Sequence, residues 1–238
     1  MKIIVDLFNQ HSGDLDELRR ISMQAFINGA DYVKIQLLNS QLIWGDDSRK
    51  HLELSRDEYF RYRDWCDVQQ IPLMATAFDE ETHSWVRESD LDFYKLASVS
   101  TKKHPDFCEM VLADGKPTFV SNGFDPDKVL YPEQKNVFRY FCISKYPTLL
   151  NDEALQHFPK TFGAGDAFQG FSDHTLGTAC ALLAKARGAM FLERHFSRSN
   201  NLQKDGELGH LCSFTAAELA SFAAINREMS LAQQTING

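Results

Sequence analysis

A chain of 238 residues, 43% hydrophobic and 24% charged, is long enough for one domain with a buried core and short for two. Its formal net charge of −8, without any cluster of Lys or Arg, argues against a general nucleic-acid or acidic-membrane surface, so an anionic ligand would need a local basic pocket. The opening Met-Lys-Ile-Ile-Val-Asp is too short for a signal h-region and no window reaches spanning length, so no membrane segment and a cytoplasmic location are expected.

In chain order, short runs rich in Val, Ile, Phe and Leu predict strands over Ile3–Leu7, Tyr32–Gln36, Pro72–Thr76, Phe93–Leu96, Thr118–Ser121, Arg139–Ile143, Ala167–Phe171 and Met190–His195. Helical periodicity fills the gaps over Leu15–Asn28, Asp57–Gln69, Glu80–Ser89, Pro105–Ala113, Asp152–His157 and Thr178–Arg187, with a closing helix near Ala216–Ala232. Asp14 stands at a cap position, and Leu15, Leu18, Ile21, Ala25 and Phe26 fall near one face of the first helix. Gly29-Ala30 and Gly188-Ala189 end helices ahead of strands. The fifth unit is awkward, because Pro126 and Pro132 leave room for at best a short helix between Gly123 and Phe138. Eight strand runs favour a single-domain (β/α)8 TIM barrel over residues 1–238; an open doubly wound sheet is the alternative. Cys66, Cys108, Cys142, Cys180 and Cys212 are odd in number and lack a Cys-x-x-Cys pair, so free, mostly buried thiols are expected.

Barrel active sites are assembled at the carboxyl ends of several strands, and nearly every strand here ends in a polar residue. In order these are Asp6, Lys34 with Gln36, Thr76, Lys95 with Ser98, Ser121, Ser144 with Tyr146, Ser172 with His174, and His195. A charge inside an apolar strand costs several kcal/mol unless paired or solvated, so Lys34 and Lys95 need partners. A phosphate and carboxylate ligand would supply them; an internal ion pair with Asp6 or Glu193, or snorkelling to the rim, would do so equally. His174 and His195 are 21 residues apart, one helix-strand unit, which puts them at neighbouring strand mouths where two imidazoles can share a divalent ion. A capping or core role for either is the competing reading, and His11, His104 and His210 are further ligand candidates.

Gly-Phe-Ser-Asp-His-Thr-Leu-Gly at 170–177 and Phe-Leu-Glu-Arg-His-Phe-Ser at 191–197 resemble the two most characteristic motifs of the sialic acid synthase family, which makes N-acetylneuraminate, legionaminate and pseudaminate. Gly-Ala-Asp-Tyr-Val-Lys-Ile-Gln at 29–36, Phe-Tyr-Lys-Leu-Ala-Ser at 93–98, Phe-Val-Ser-Asn-Gly at 119–123 and Ser-Lys-Tyr-Pro-Thr at 144–148 extend the resemblance in order along the chain. It implies a (β/α)8 barrel that joins phosphoenolpyruvate to N-acetylmannosamine or a related open-chain aldose, releasing phosphate and a 2-keto sugar acid. By position, His174 and His195 would hold manganese or, alternatively, magnesium, cobalt or zinc. Lys34, Lys95, Ser98, Ser121, Ser144 and Ser172 would line the phosphoenolpyruvate site, and Gln36, Tyr146 and Asp205 would face the sugar. Asp6, Lys95, His174 and His195 are the catalytic candidates, with Asp6 orienting or deprotonating the water that adds, or instead pairing with Lys34.

The sequence departs from the family pattern at Asp6 (for Glu), Gln10 (for Asn), Ser144 (for Asn), Ser100 (for a sugar-side Glu) and Lys204-Asp205 (for Gly-Pro-Asp). The acceptor is therefore expected to differ from N-acetylmannosamine, with an acidic substituent facing Lys204 as one option. Because the chain stops at Gly238, the small antifreeze-like domain that typically follows the barrel is expected to be absent. A homodimer is the expected assembly. Another metal-dependent barrel aldolase or lyase, and a non-catalytic binding subunit, are the alternative functions.

Overall fold

The computed structural model describes residues 1–200 and 211–237. Eight parallel strands close into a barrel in the order β1 to β8: β1 (Lys2–Asp6), β2 (Tyr32–Leu37), β3 (Leu73–Ala77), β4 (Tyr94–Leu96), β5 (Thr118–Ser121), β6 (Val137–Cys142), β7 (Gly170–Asp173) and β8 (Phe191–His195). Closure comes from β1 pairing with β8, in a register that sets Asp6 beside His195. The open-sheet alternative is thereby excluded.

Helices α1 (Leu15–Ile27), α3 (Arg56–Val68), α4 (Glu80–Glu88), α6 (Pro105–Ala113), α7 (Ala179–Ala186) and α8 (Ala216–Asn237) lie in the segments that periodicity indicated. Asp14 caps α1 by accepting from the Asp16 and Glu17 amides, and Leu18, Ile21, Ser22 and Ala25 form its buried face. Ser55 with Glu58 and Asp79 with Thr82 form reciprocal capping boxes on α3 and α4. Two short helices of the carboxyl face, α2 (Ser40–Trp44) and α5 (Ser98–Lys103), carry too few residues for periodicity to reveal. The segment at Glu153–His157 is a 3₁₀ turn rather than an α-helix, and the β5–β6 connection is built of turns.

Strand β7 begins at Gly170, later than its apolar run suggests. Residues 167–169 are loop because Gln169 is tied there: its Nε2 donates to the Gly163 and Asp166 carbonyls, and its Oε1 accepts from the Arg139 amide.

Alternation along the strands stacks the barrel interior in layers drawn from alternate strands. Tyr32, Phe93, Phe138 and Phe191 pack at the bottom against Ile4, Met74 and Phe119 from the odd strands. Where β7 would add a fourth side chain to that second layer it has Gly170. A Cβ there would lie 2.7 Å from the Tyr140 ring, so the glycine makes space for that ring to lie over Phe119, 5.1 Å away. The next even-strand layer is Lys34, Lys95, Tyr140 and Glu193, and above it come Asp6, Thr76, Ser121 and Ser172. The interior thus changes from aromatic to charged halfway up. The five cysteines form no disulfide, and all but the half-buried Cys180 are buried. No described helix is long and apolar enough to cross a membrane.

Candidate active site

The charged layer is fully enclosed: Asp6 and Lys34 are 2% exposed, Lys95 4% and Glu193 5%. Lys34 Nζ donates to Asp6 Oδ2 at 2.7 Å and lies 3.5 Å from Glu193 Oε2. Lys95 Nζ donates to Ser121 Oγ at 2.5 Å and lies 3.6 Å from Glu193 Oε1, with the Tyr140 ring 5.0 Å away. Glu193 is shared between the two ammoniums, and Ser172 Oγ donates to its Oε1 at 3.0 Å. Burial opposes ionisation of Lys34, but Asp6 and Glu193 outweigh it and raise its pKa. For Lys95, burial and the neighbouring Lys34 prevail over Glu193 and lower it. Burying such a group is a net cost against an apolar layer of equal volume, which marks it as a site rather than a stabilising device.

Asp6 is held below the usual carboxylate range: burial would raise its pKa, but Lys34 and His195 overcome that, helped by the Gln36 amide at 2.8 Å. Its Oδ1 accepts from the Phe8 amide at 2.9 Å. With both oxygens engaged, Asp6 is built to orient Lys34, Gln36 and the β1 loop. The pairing role is the one observed. Glu193 Oε2, by contrast, accepts no hydrogen bond among the described groups. Sequence reasoning treated Glu193 only as a lysine partner; the overlooked signal was its position two residues before His195, on the same face of β8.

His174 and His195 come together at the mouth, ring centroids 5.3 Å apart, with Tyr146 against both at 4.2 and 5.7 Å. The Ile143 carbonyl accepts a 2.7 Å hydrogen bond from His174 Nδ1, which leaves Nε2 with its lone pair. Burial, reinforced by His195, lowers the His174 pKa to about 3, so the ring is neutral at physiological pH. Two imidazoles, one with its tautomer fixed by a carbonyl, suit a divalent transition ion. Among the described residues no group of three or more His, Cys, Asp or Glu side chains could hold one, so the imidazole pair would be the protein's share and substrate or water oxygens the remainder.

The loop carrying His174 is held from behind. Asp173 and Arg194, register partners on β7 and β8, form a buried ion pair at 2.5 Å. Asp173 Oδ1 also accepts from the Thr175 amide and hydroxyl, and Arg194 donates to the Thr175 and Gly177 carbonyls. The Thr148 amide donates to the His174 carbonyl at 2.7 Å, fastening the Tyr146 loop to the same point. Outward-facing strand residues give no sign in a sequence that they brace a site.

A cavity of about 360 Å³ opens above, lined by Phe8, Gln36, Leu38, Ile43, Trp44, Phe78, Ala97, Ser98, Val99, Phe124, Ser144, Tyr146 and His195. The lysines, Ser121 and Ser172 do not line it: Lys34 and Lys95 lie enclosed beneath it, paired with carboxylates. Ser98 Oγ accepts from the Gly123 amide at 2.9 Å, and Ser144 Oγ is buried near the Tyr146 phenol. The Ser100 hydroxyl is buried, has no hydrogen-bond partner among the described residues, and does not line the cavity. His104 joins α5 to α6, and His11 accepts from the Gly13 amide. Asp205, Lys204 and His210 lie outside the described residues.

An eight-stranded parallel barrel with an enclosed layer of paired lysines and carboxylates, beneath a carboxyl-end mouth where His174 and His195 meet, defines a TIM-barrel enzyme. The chain belongs to the NeuB family, whose model matches residues 22–237. It is 28% identical to human N-acetylneuraminate-9-phosphate synthase over 92% of this chain and 67% of that protein. It is likewise 28% identical to the pseudaminic acid synthase of Campylobacter jejuni over 85% of this chain and 67% of that one. The N-acetylneuraminic acid synthetase structure from Leptospira borgpetersenii, in complex with citrate, superposes with a TM-score of 0.79 at 24% identity, covering 95% of this chain and 82% of that one; the likeness is one of fold. The chain spans about two thirds of the length of its curated relatives, 61% in one case and 67% in others.

Proposed function

We propose that this barrel condenses phosphoenolpyruvate with an aldose aldehyde to give a 2-keto-3-deoxy sugar acid and inorganic phosphate. The observation that carries the reading is the enclosed layer of Lys34, Lys95 and Glu193, with Ser121 and Ser172 bonded to it, beneath the His174–His195 pair. In this reading the lysine ammoniums exchange part of their present contacts, with Thr76 for Lys34 and with Ser121 and the Leu96 carbonyl for Lys95, for the phosphate and carboxylate of phosphoenolpyruvate. The methylene carbon of phosphoenolpyruvate bonds to the aldehyde carbon, whose oxygen takes up a proton. Positive charge that develops at the enol carbon lies over the Glu193 carboxylate. Glu193, whose Oε2 lies 3.5 Å from Lys34 Nζ, takes one proton of the water that adds there, which balances the proton gained by the aldehyde oxygen, and the second leaves with phosphate as the carbon–oxygen bond breaks to give the ketone.

Asp6 orients Lys34 and Gln36 rather than moving a proton, since its pKa is held low and both oxygens are occupied. His174 and His195 would hold a divalent ion, manganese being the first to test. Such an ion would polarise the aldehyde oxygen. A homodimer of barrels working in the cytoplasm completes the proposal. Phosphate release from phosphoenolpyruvate across a panel of aldoses, with and without manganese, is the experiment. Release that needs both aldose and metal supports the reading, and none with any aldose overturns it.

A further inference from the structure

The barrel sets the backbone of His195, since the Phe196 amide donates to the Asp6 carbonyl at 2.9 Å and the Phe214 amide donates to the His195 carbonyl at 2.8 Å. The plane of the imidazole is a separate matter, because the last torsion of a histidine side chain is broad and takes its value from the neighbours. For His174 that neighbour is the Ile143 carbonyl on Nδ1. Beside His195 two rings lie nearly parallel to the imidazole: Phe8 at 5.2 Å and 11°, and Tyr146 at 5.7 Å and 19°.

Phe8 reaches its place at a cost. Its φ of 47° lies in the left-handed region, where a bulky side chain is a rare outlier and glycine sits freely. Core burial does not account for it: Phe8 is half-buried, and among the described residues it packs into none of the hydrophobic core clusters. Strain of this kind persists where the surroundings fix it, and it gathers at functional sites. The Leu7 amide donates to the Lys34 carbonyl at 2.8 Å, the Phe8 amide to Asp6 Oδ1 at 2.9 Å, and the Gln10 amide to the Leu7 carbonyl at 3.0 Å. One oxygen of Asp6 thus carries Lys34 and Gln36 while the other holds the turn that presents Phe8 to His195.

We propose that Phe8 is a positioning residue for His195: its left-handed turn lays a flat apolar face along the imidazole and holds that ring in the plane needed to share a divalent ion with His174. This rests on the reading of the two histidines as the protein's ligands. A ligand ring already held in plane gives up less freedom when the ion arrives, so its neighbours act on metal affinity without touching the metal. Phe8 does for His195, by stacking, what the Ile143 carbonyl does for His174 by hydrogen bonding.

The test uses the full chain and manganese alone, with the free ion read by paramagnetic resonance. Phe8→Gly suits the left-handed turn, so the fold is kept and Tm should not fall. Manganese should nevertheless bind on the order of tenfold or more weakly, the scale lost when a ligand's supporting neighbour is removed. Phe8→Leu keeps the strained turn and the apolar bulk without the flat face, and should weaken binding in the same way. Phe8→Tyr keeps the face and should bind manganese within about twofold of the parent. In the metal-free protein the His195 ring protons, assigned by their loss in His195→Ala, lie in the shielding field of the stacked Phe8 ring. They should move downfield in Phe8→Gly and Phe8→Leu and return in Phe8→Tyr. Manganese affinity unchanged in Phe8→Gly or Phe8→Leu, Phe8→Tyr as weak as Phe8→Gly, or His195 protons that do not move, each overturns the inference while the histidines stand as ligands. A parent protein that binds no manganese overturns that reading, and this inference with it.

Discussion

Replacing Lys95 with Met separates a ligand-binding lysine from a structural one. In the ligand-free barrel Lys95 donates to Ser121 at 2.5 Å and sits 3.6 Å from Glu193, while burial and Lys34 lower its pKa. A base with a lowered folded pKa contributes stability that is complete above its unfolded value, near 10.5, and declines as pH falls toward the folded value. At neutral pH the charged Lys95 is therefore a burden, and Lys95→Met should change stability by no more than about 1 kcal/mol, or roughly 2–4 °C in Tm for a chain of this size. Phosphoenolpyruvate should lose one charge-assisted contact, about 1.5–3 kcal/mol, and so bind roughly 10- to 150-fold more weakly. Lys34→Met should do the reverse for stability. It strands Asp6 without its buried cation and leaves Glu193 to Lys95 alone, costing about 3–5 kcal/mol and lowering Tm by on the order of 6–20 °C. Calorimetric titration and thermal unfolding read both quantities. Unchanged phosphoenolpyruvate affinity in Lys95→Met, or a loss of stability equal to that of Lys34→Met, refutes the assignment of Lys95 to the ligand.

Three further outcomes are expected. His174, with its pKa lowered to about 3 by burial and by His195, contributes stability that is complete above the unfolded histidine value and is lost progressively from about pH 6.5 toward 3; denaturant midpoints of the metal-free protein across that range should fall, and the slope should lessen in His174→Asn. Asp173→Asn removes the anion from a buried pair with Arg194 and should lower stability by about 3–5 kcal/mol, with kcat falling more than KM rises because His174 loses its brace; equal stability would show the pair to be idle. His174→Ala and His195→Ala should each abolish manganese binding, read by the paramagnetic resonance of the free ion, with unchanged far-ultraviolet dichroism. Retention of stoichiometric binding by either variant would remove that histidine from the ligand set.

The order and type of nearly every strand and long helix are legible in the sequence, because each owes its existence to local causes: an apolar run, a cap such as Asp14, a glycine after the last turn. The polar residues at strand ends are legible for the same reason, since alternation on a barrel strand fixes which side chains face inward. The partners they meet are not. Lys34 belongs to Asp6 across β1–β2 and Lys95 to Ser121 across β4–β5, and closure between β1 and β8 brings Glu193 to both lysines, pairings that no short stretch of chain encodes. The same closure sets Asp6 beside His195 and Glu193 between the two lysines. Strand β7 starts late because Gln169 finds its partners in the loop just before it and on β6. Phe8 reads as one more apolar residue until its left-handed turn and its stacking on His195 are seen together. Periodicity and motif report which groups reach the mouth of the barrel. Only the packed tertiary structure, in which each charge must find a counter-charge away from water, decides how those groups are paired.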